Sequence, residues 1–400
     1  MSSTRLFTPR ISNVGLFCDC YPPVMDGVAV CVNNYAEWLQ QMVGDVTVVT
    51  PKVKGVDYSQ FDYKVIDFFS VPVIGRPPYV TGIAELDPRF MAGILKTRFK
   101  IVHAHSPFSA GLAAHRIARL QGVPMVATFH SKYRDDFARS LPKFAVDAVI
   151  KIIVEFYSRA DLVWVPQESV IDVIREYGYK GPVEVMDNGS DLVSDYSESY
   201  FVKARQELGI APQECVLLFV GQHIWEKNPK LVIEALARIP DQPFRMYFVG
   251  EGYAAEEMRQ MVGEYGLDER VTFVGSIKDR ERIATYYAAS DLFLFPSLYD
   301  NAPLVVREAA ALHTPSIMAK GSTASTILQD GENGFLVDND PDKMASLLQD
   351  LIHDPERIHR VGLQASRSIV RSWQDCVGEV VERYNALLRS WGLPCIEHIK

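Results

Sequence analysis

Short apolar, β-branched runs alternate with helical patterns through most of this chain, and that alternation limits its fold more than any other feature. In the first half the runs fall at 11–18, 45–50, 64–71, 99–104, 123–129, 161–165 and 183–186. In the second they fall at 215–221, 244–250, 270–275, 291–295, 314–318 and 334–337. Helical stretches lie between most of them, among them 28–42, 107–121, 143–159, 229–238 and 253–265. Strand–helix alternation implies parallel, doubly wound sheets. Two such series hold too many strands for one comfortable sheet, so two Rossmann-like α/β domains facing a cleft are expected. The polar stretch 190–199 reads as the linker. The division is 1–190 and 191–372. The last segment, about 373–392, is amphipathic through Trp373, Val377, Val381, Tyr384, Leu387 and Leu388. It can pack on either domain, so 373–400 has the option of joining the first.

Composition places the chain among ordinary globular proteins, with 48% hydrophobic and 23% charged residues. The N-terminus, Met-Ser-Ser-Thr-Arg, has no apolar leader, and no run approaches the length of a bilayer span. The six cysteines are scattered, which fits a reducing cytosol rather than a disulfide framework. Charge is uneven. Residues 1–190 hold 20 basic and 19 acidic side chains and the remainder 21 and 31, so the net negative charge lies wholly in the second half. Within the first half, 89–143 carries ten basic residues and only Asp135 and Asp136 as acids. Such a region is either a solvated face or an attraction for an anionic acceptor or an anionic membrane surface. A peripheral position on the inner face of the membrane would follow from the latter. No nucleic-acid partner is expected.

The chemistry concentrates at strand ends. The first strand runs into Tyr21-Pro-Pro-Val-Met-Asp-Gly27 instead of Gly-x-Gly-x-x-Gly, which argues against a dinucleotide-binding dehydrogenase. Gly27 lets backbone approach a ligand closely. Leu217-Leu-Phe-Val-Gly-Gln-His-Ile-Trp-Glu-Lys-Asn228 sets Lys227 at a strand–loop–helix junction, where it can neutralise a diphosphate leaving group. Gly252 and Gly275 end two further strands at the same edge. Asp300-Asn-Ala-Pro-Leu-Val-Val-Arg-Glu308 straddles another strand-to-helix turn, at the carboxyl edge where open α/β sheets bind ligands. Helix-start N–H groups near Ala302, Pro303 and Leu304 can receive phosphate oxygens. Glu308, a turn further in, can accept from a sugar's vicinal hydroxyls. His103 and His105 share one face of a strand end. They line the cleft, pack, or contribute to a metal site, although no acidic cluster for a divalent ion accompanies them. Helix 143–159 is strongly apolar and reads as core, with a membrane-facing surface as the alternative.

Taken together, these segments resemble the retaining glycosyltransferases of the two-Rossmann-domain (GT-B) type, in the large family 4. The resemblance runs from about 14 to about 337. Asp300 to Glu308 is similar to the family's acid-x7-acid signature, 221–227 to its Gly-Arg-x-x-x-Glu-Lys element, Asn188-Gly-Ser-Asp191 to its inter-domain Asn-Gly-x-Asp, and 21–27 to its first glycine loop. The resemblance implies that Glu308 binds the nucleotide ribose and Lys227 the donor diphosphate. It implies that the backbone of Ala302, Pro303 and Leu304 holds the donor sugar or phosphates, with Asp300 on the sugar hydroxyls. Gly275 and Ile277 should face the base, Gly252 should lie in the donor site, and Gly27 should approach the diphosphate from across the cleft. His130, in Ala127-Thr-Phe-His-Ser-Lys132, corresponds to the family's active-site histidine. His105, Lys132 and Arg134 are acceptor-side candidates.

Two positions depart from the pattern. Gln222 stands where the family usually has a phosphate-binding Arg, which shifts neutralisation onto Lys227, with help from His223 or a basic group of the first domain. Asp300 replaces a Glu and is shorter by about 1.5 Å. The implied reaction is metal-independent transfer of a hexose from a nucleoside-diphosphate sugar to a hydroxyl of a lipid or glycan. The implied donor is a UDP-hexose such as UDP-glucose, with GDP-mannose as the alternative. No cofactor or metal is expected. A sugar-nucleotide epimerase and a non-catalytic lectin-like scaffold on the same architecture are the rival readings.

Overall fold

The computed structural model describes residues 10–24, 26–73, 79–193 and 196–399. The leader reading at 1–5, Met25 of the first loop, and 194–195 of the polar stretch lie outside them. The chain divides into two compact units, Met1–Asn188 with Trp373–Lys400, and Gly189–Ser372.

The first unit carries a parallel sheet of β1 (Arg10–Phe17), β2 (Val46–Pro51), β3 (Lys64–Phe68), β4 (Thr97–Ala104), β5 (Met125–Thr128), β6 (Leu162–Val165) and β7 (Val183–Val185). Its order is β3-β2-β1-β4-β5-β6-β7. The second unit repeats the scheme with β8 (Cys215–Val220), β9 (Phe244–Val249), β10 (Val271–Gly275), β11 (Leu292–Leu294), β12 (Ser316–Ala319) and β13 (Phe335–Val337), ordered β10-β9-β8-β11-β12-β13. Each expected apolar run holds one strand. β2, β5, β11 and β12 are buried along their whole length, as strands covered on both faces must be. In both sheets the strand order reverses beside the first strand of the unit. Val14 pairs with Val46 on one side and Ile101 on the other, and Leu217 pairs with Met246 and Leu292. These reversals are the switch points at which such sheets bind ligands.

Three segments differ from the sequence reading. Beyond Phe68 the expected strand gives way to a small ribbon, Val71–Pro72 against Val80–Thr81. The polar stretch 190–199 is only partly a linker. Ser190 bridges to Ser372, Leu192 is buried, and the helix Glu198–Glu207 starts inside it. The helix Lys143–Tyr157 is two-faced. Val146, Ile150, Ile153, Phe156 and Tyr157 enter the core, whereas Phe144 and Ile152 are 79% and 68% exposed.

The C-terminal helix Trp373–Ser390 buries its apolar stripe within the first unit. Tyr384 stacks on Trp164 at 5.5 Å and its hydroxyl meets His103 Nδ1 at 2.6 Å. All six cysteines are free thiols, and among the described residues no helix is long and apolar enough to cross a membrane.

Candidate active site

In the second unit, β8 runs out at Gly221 and the chain turns through Trp225–Lys227 into the helix Pro229–Leu236. The aliphatic part of Lys227 lies against Gly221, where a Cβ would sit 3.4 Å from its Cδ. Its ammonium stands 5.0 Å from the Phe295 ring centre and bonds both oxygens of Asp300, at 2.8 and 2.9 Å. Ser297 donates a further bond to Asp300, 2.6 Å long. The two residues assigned to different parts of a donor are thus joined to each other.

The helix Leu304–Ala311 opens at Pro303 without a side-chain cap, and Pro229–Leu236 opens at Asn228 likewise uncapped. Proline has no N–H, so within 302–304 only Ala302 and Leu304 can donate. Glu308 is 6% exposed and its two oxygens are held separately. Arg280 reaches one at 2.8 Å and the Tyr287 hydroxyl donates to the other at 2.9 Å. Arg280 also clamps Asp191 with two bonds of 2.6 Å. Sequence reasoning missed Arg280 and Tyr287. The helix Arg280–Ala289 that carries both opens at Asp279, whose side chain accepts from Glu281 N at 2.9 Å, but nothing local in the sequence tells which way Arg280 and Tyr287 pair.

Glycine at 250 and 252 has a packing reason. A Cβ on Gly250 would lie 1.9 Å from the Gly221 carbonyl, and one on Gly252 would lie 2.3 Å from the His223 carbonyl. Gly275 has a φ of 82° and needs the left-handed region. Ile277 packs at the edge of the core, and Gln222 is exposed. The expectation that His223 helps neutralise phosphate needs correction. Its ring is 1% exposed, set among Phe219, Phe248 and Phe273. Burial pushes its pKa down to about 4, so it is neutral and supplies no charge.

The first unit treats its switch point differently. Asp26 caps the helix Gly27–Val43, accepting from Ala29 N at 2.7 Å. Asp19, half-buried just past the end of β1, accepts from Ala110 N at 2.9 Å, and Ser106 donates to it at 2.5 Å, at the start of the helix Ser109–Gln121. Burial raises the pKa of Asp19 against the pull of these bonds. Both helix starts beside this switch point therefore hold carboxylates of the chain itself. Gly27 has no contact within 4 Å of where a Cβ would lie, and no left-handed φ. Nothing in the fold requires a glycine there.

His130 follows β5 and stands 3.1 Å, Nε2 to Nδ1, from His105. Burial pushes its pKa down to about 4. His103 is satisfied by Tyr384 and by Thr128 Oγ1 at 2.7 Å, which settles it as a packing residue. Among the described residues no group of three or more His, Cys, Asp or Glu is placed to hold a metal. Lys132 precedes the short helix Tyr133–Ala138 and is partly exposed. Arg134 is not a free cation. It pairs with Asp147 at 2.6 Å and lies over the Tyr177 ring at 5.6 Å. Arg139 likewise faces Asp136, at 4.0 Å.

Comparison with known proteins agrees with this architecture. Residues 25–193 match the model for Glycosyltransferase Family 4 and residues 201–367 the model for Glycosyl transferases group 1. The alpha-monoglucosyldiacylglycerol synthase of Streptococcus pneumoniae is 26% identical over 86% of this chain and 79% of its own. The sulfoquinovosyl transferase SQD2 of Arabidopsis thaliana is 26% identical over 96% of this chain and 76% of its own. Among solved structures, Anabaena Alr3699/HepE in complex with UDP and glucose superposes with a TM-score of 0.75 at 20% identity, over 92% of this chain and 98% of that one. Two doubly wound domains of this kind define a GT-B fold. The chain belongs to the glycosyl transferases group 1 and family 4 glycosyltransferases.

Proposed function

We propose that this enzyme moves a hexose from a nucleoside-diphosphate sugar, a UDP-hexose such as UDP-glucose, to a hydroxyl of a lipid or glycan acceptor with retention at the anomeric carbon. One contrast carries the reading. Beside the switch point of the second unit two helix starts, at Pro229 and Leu304, have no side-chain cap, while their counterparts in the first unit are occupied by Asp26 and Asp19. An anion at a helix start gains about 0.3–1 kcal/mol, and up to about 2 when partly buried. The second domain, 191–372, is therefore the side that takes the nucleotide sugar, and the first domain the acceptor side.

In this reading Lys227 and the N–H groups of Ala302 and Leu304 bind the diphosphate and stabilise it as it leaves. Glu308 takes the ribose hydroxyls, and Gly275 and Ile277 lie toward the base. Asp300 turns from Lys227 to the sugar hydroxyls. The acceptor oxygen bonds to the anomeric carbon on the face from which the diphosphate departs. Its proton passes to a leaving phosphate oxygen, so no protein nucleophile takes part. His130, neutral near pH 7, orients the donor sugar. The named activity of the first relative above, synthesis of an alpha-monoglucosyldiacylglycerol, supports a lipid acceptor. So does the exposed side of the helix Lys143–Tyr157, where Phe144 and Ile152 stand beside Lys143 and Lys151, a pattern that suits an anionic membrane surface.

The test is nucleotide release from UDP-glucose with and without vesicles that contain diacylglycerol and anionic lipid. Transfer requires release that depends on the vesicles and a labelled α-glucosyl lipid. Release without acceptor supports the hydrolase or epimerase-like reading, and no release with any donor supports a scaffold.

A further inference from the structure

Three histidines lie together in the first unit, and they differ in how their nitrogens are used. His103 has a partner on each side, Tyr384 and Thr128. His105 does not. It is fully buried, its Nδ1 meets His130 Nε2 at 3.1 Å, and its Nε2 has no hydrogen-bond partner. Tyr35 and His103 close over the ring at 5.2 and 3.9 Å.

A neutral imidazole carries one proton, on one nitrogen or the other. Placed on Nε2 of His105, it would be a buried N–H with no acceptor, an arrangement rare in native proteins. A bare ring nitrogen left without a donor is the less costly choice. The His105 proton therefore belongs on Nδ1, where it donates to His130 Nε2. That bond uses the Nε2 lone pair of His130, so the proton of a neutral His130 must sit on its Nδ1.

We infer that His105 is a positioning residue that fixes the tautomer of His130, keeping its Nε2 occupied and its proton on Nδ1. The inference rests on the reading of His130 as an active-site residue. It deepens that reading by removing His130 Nε2 as a base for the acceptor hydroxyl. His130 acts instead as a neutral donor of one fixed N–H.

The test uses the full chain with 15N-labelled histidine near pH 7, read by long-range 1H–15N correlation, together with turnover of UDP-glucose. In the wild type, His130 should show an unprotonated Nε2 and a protonated Nδ1. His105→Asn puts an amide N–H where Nδ1 was, and should keep the tautomer and give a kcat clearly above that of His105→Leu. His105→Leu should give a tautomer mixture for His130, with kcat down by about tenfold or more and donor KM changed by no more than about threefold, the scale at which a supporting hydrogen bond acts. A wild-type spectrum with the proton on Nε2 of His130 overturns the inference without any variant. So does a folded His105→Leu protein with unchanged tautomer and kcat. His130→Phe separates the two layers. If it retains wild-type turnover, the active-site reading of His130 falls whatever its tautomer; if it abolishes turnover while His105→Leu changes neither readout, only the positioning role falls.

Discussion

Lys227 and Asp300 neutralise each other, the ammonium lying 2.8 and 2.9 Å from the two carboxylate oxygens. A diphosphate that binds Lys227 must compete with a carboxylate already in place. Asp300→Ala should therefore tighten free UDP by about threefold to tenfold, since a partly buried competing charge is removed. It should also lower hexosyl transfer by about tenfold or more, because the contact proposed between Asp300 and the sugar is lost. Calorimetric titration and steady-state kinetics check the pair of effects. Weaker UDP binding with normal transfer would mean that Asp300 helps hold the nucleotide and leaves the sugar alone.

Glu308 stands between Arg280 and Tyr287. Glu308→Ala should lower donor affinity by about tenfold or more and cost about 1–3 kcal/mol of stability, the latter because the buried Tyr287 hydroxyl loses its acceptor. Denaturant unfolding and donor titration read these separately. A stable, folded variant with wild-type donor affinity would remove Glu308 from the ribose site.

Gly27→Ala discriminates a functional glycine from a structural one. Space around Gly27 is open and its φ is ordinary, so alanine at the helix start should fold as well as glycine, or better by up to about 1 kcal/mol. If ligand comes close here, turnover should fall although stability does not. Unchanged turnover would return Gly27 to a plain helix start.

The pH dependence follows from His223 and His130, both pushed down to about 4 by burial. Between about 4 and the ordinary histidine value the unfolded chain binds these protons and the native one does not. Stability should thus be full above about 6.5 and decline as pH falls through 4. His223→Phe removes one such group, along with two ring nitrogens that have no partner. Chemical denaturation across this range should show a shallower slope for the variant, the difference reaching about 1–3 kcal/mol. An identical slope would place the charged His223 inside the fold.

Much of the scaffold was legible because its signals are local. A β-branched run gives a strand, a glycine or proline ends it, and the alternation gives two parallel sheets. Gly221, Lys227, Asp300 and Glu308 could be placed at strand ends for the same reason. Their partners could not, because those contacts join distant segments. Asp191 meets Arg280 across 89 positions, and Asp19 meets Ala110 across 91. The charge of a side chain is readable, but whether another residue has already answered it is not. Arg134 faces Asp147 and Lys227 faces Asp300, so neither cation stands unanswered.

Thermal unfolding with UDP, UDP-glucose, GDP, GDP-mannose and ADP, on the wild type and on Lys227→Ala, reads the donor diphosphate site without needing an acceptor. Ligands that bind only the native state raise its apparent stability. UDP and UDP-glucose should each raise the unfolding temperature of the wild type, and Lys227→Ala should lose that rise. No rise with any of these nucleotides, or a rise unchanged by Lys227→Ala, would contradict a diphosphate site built around Lys227.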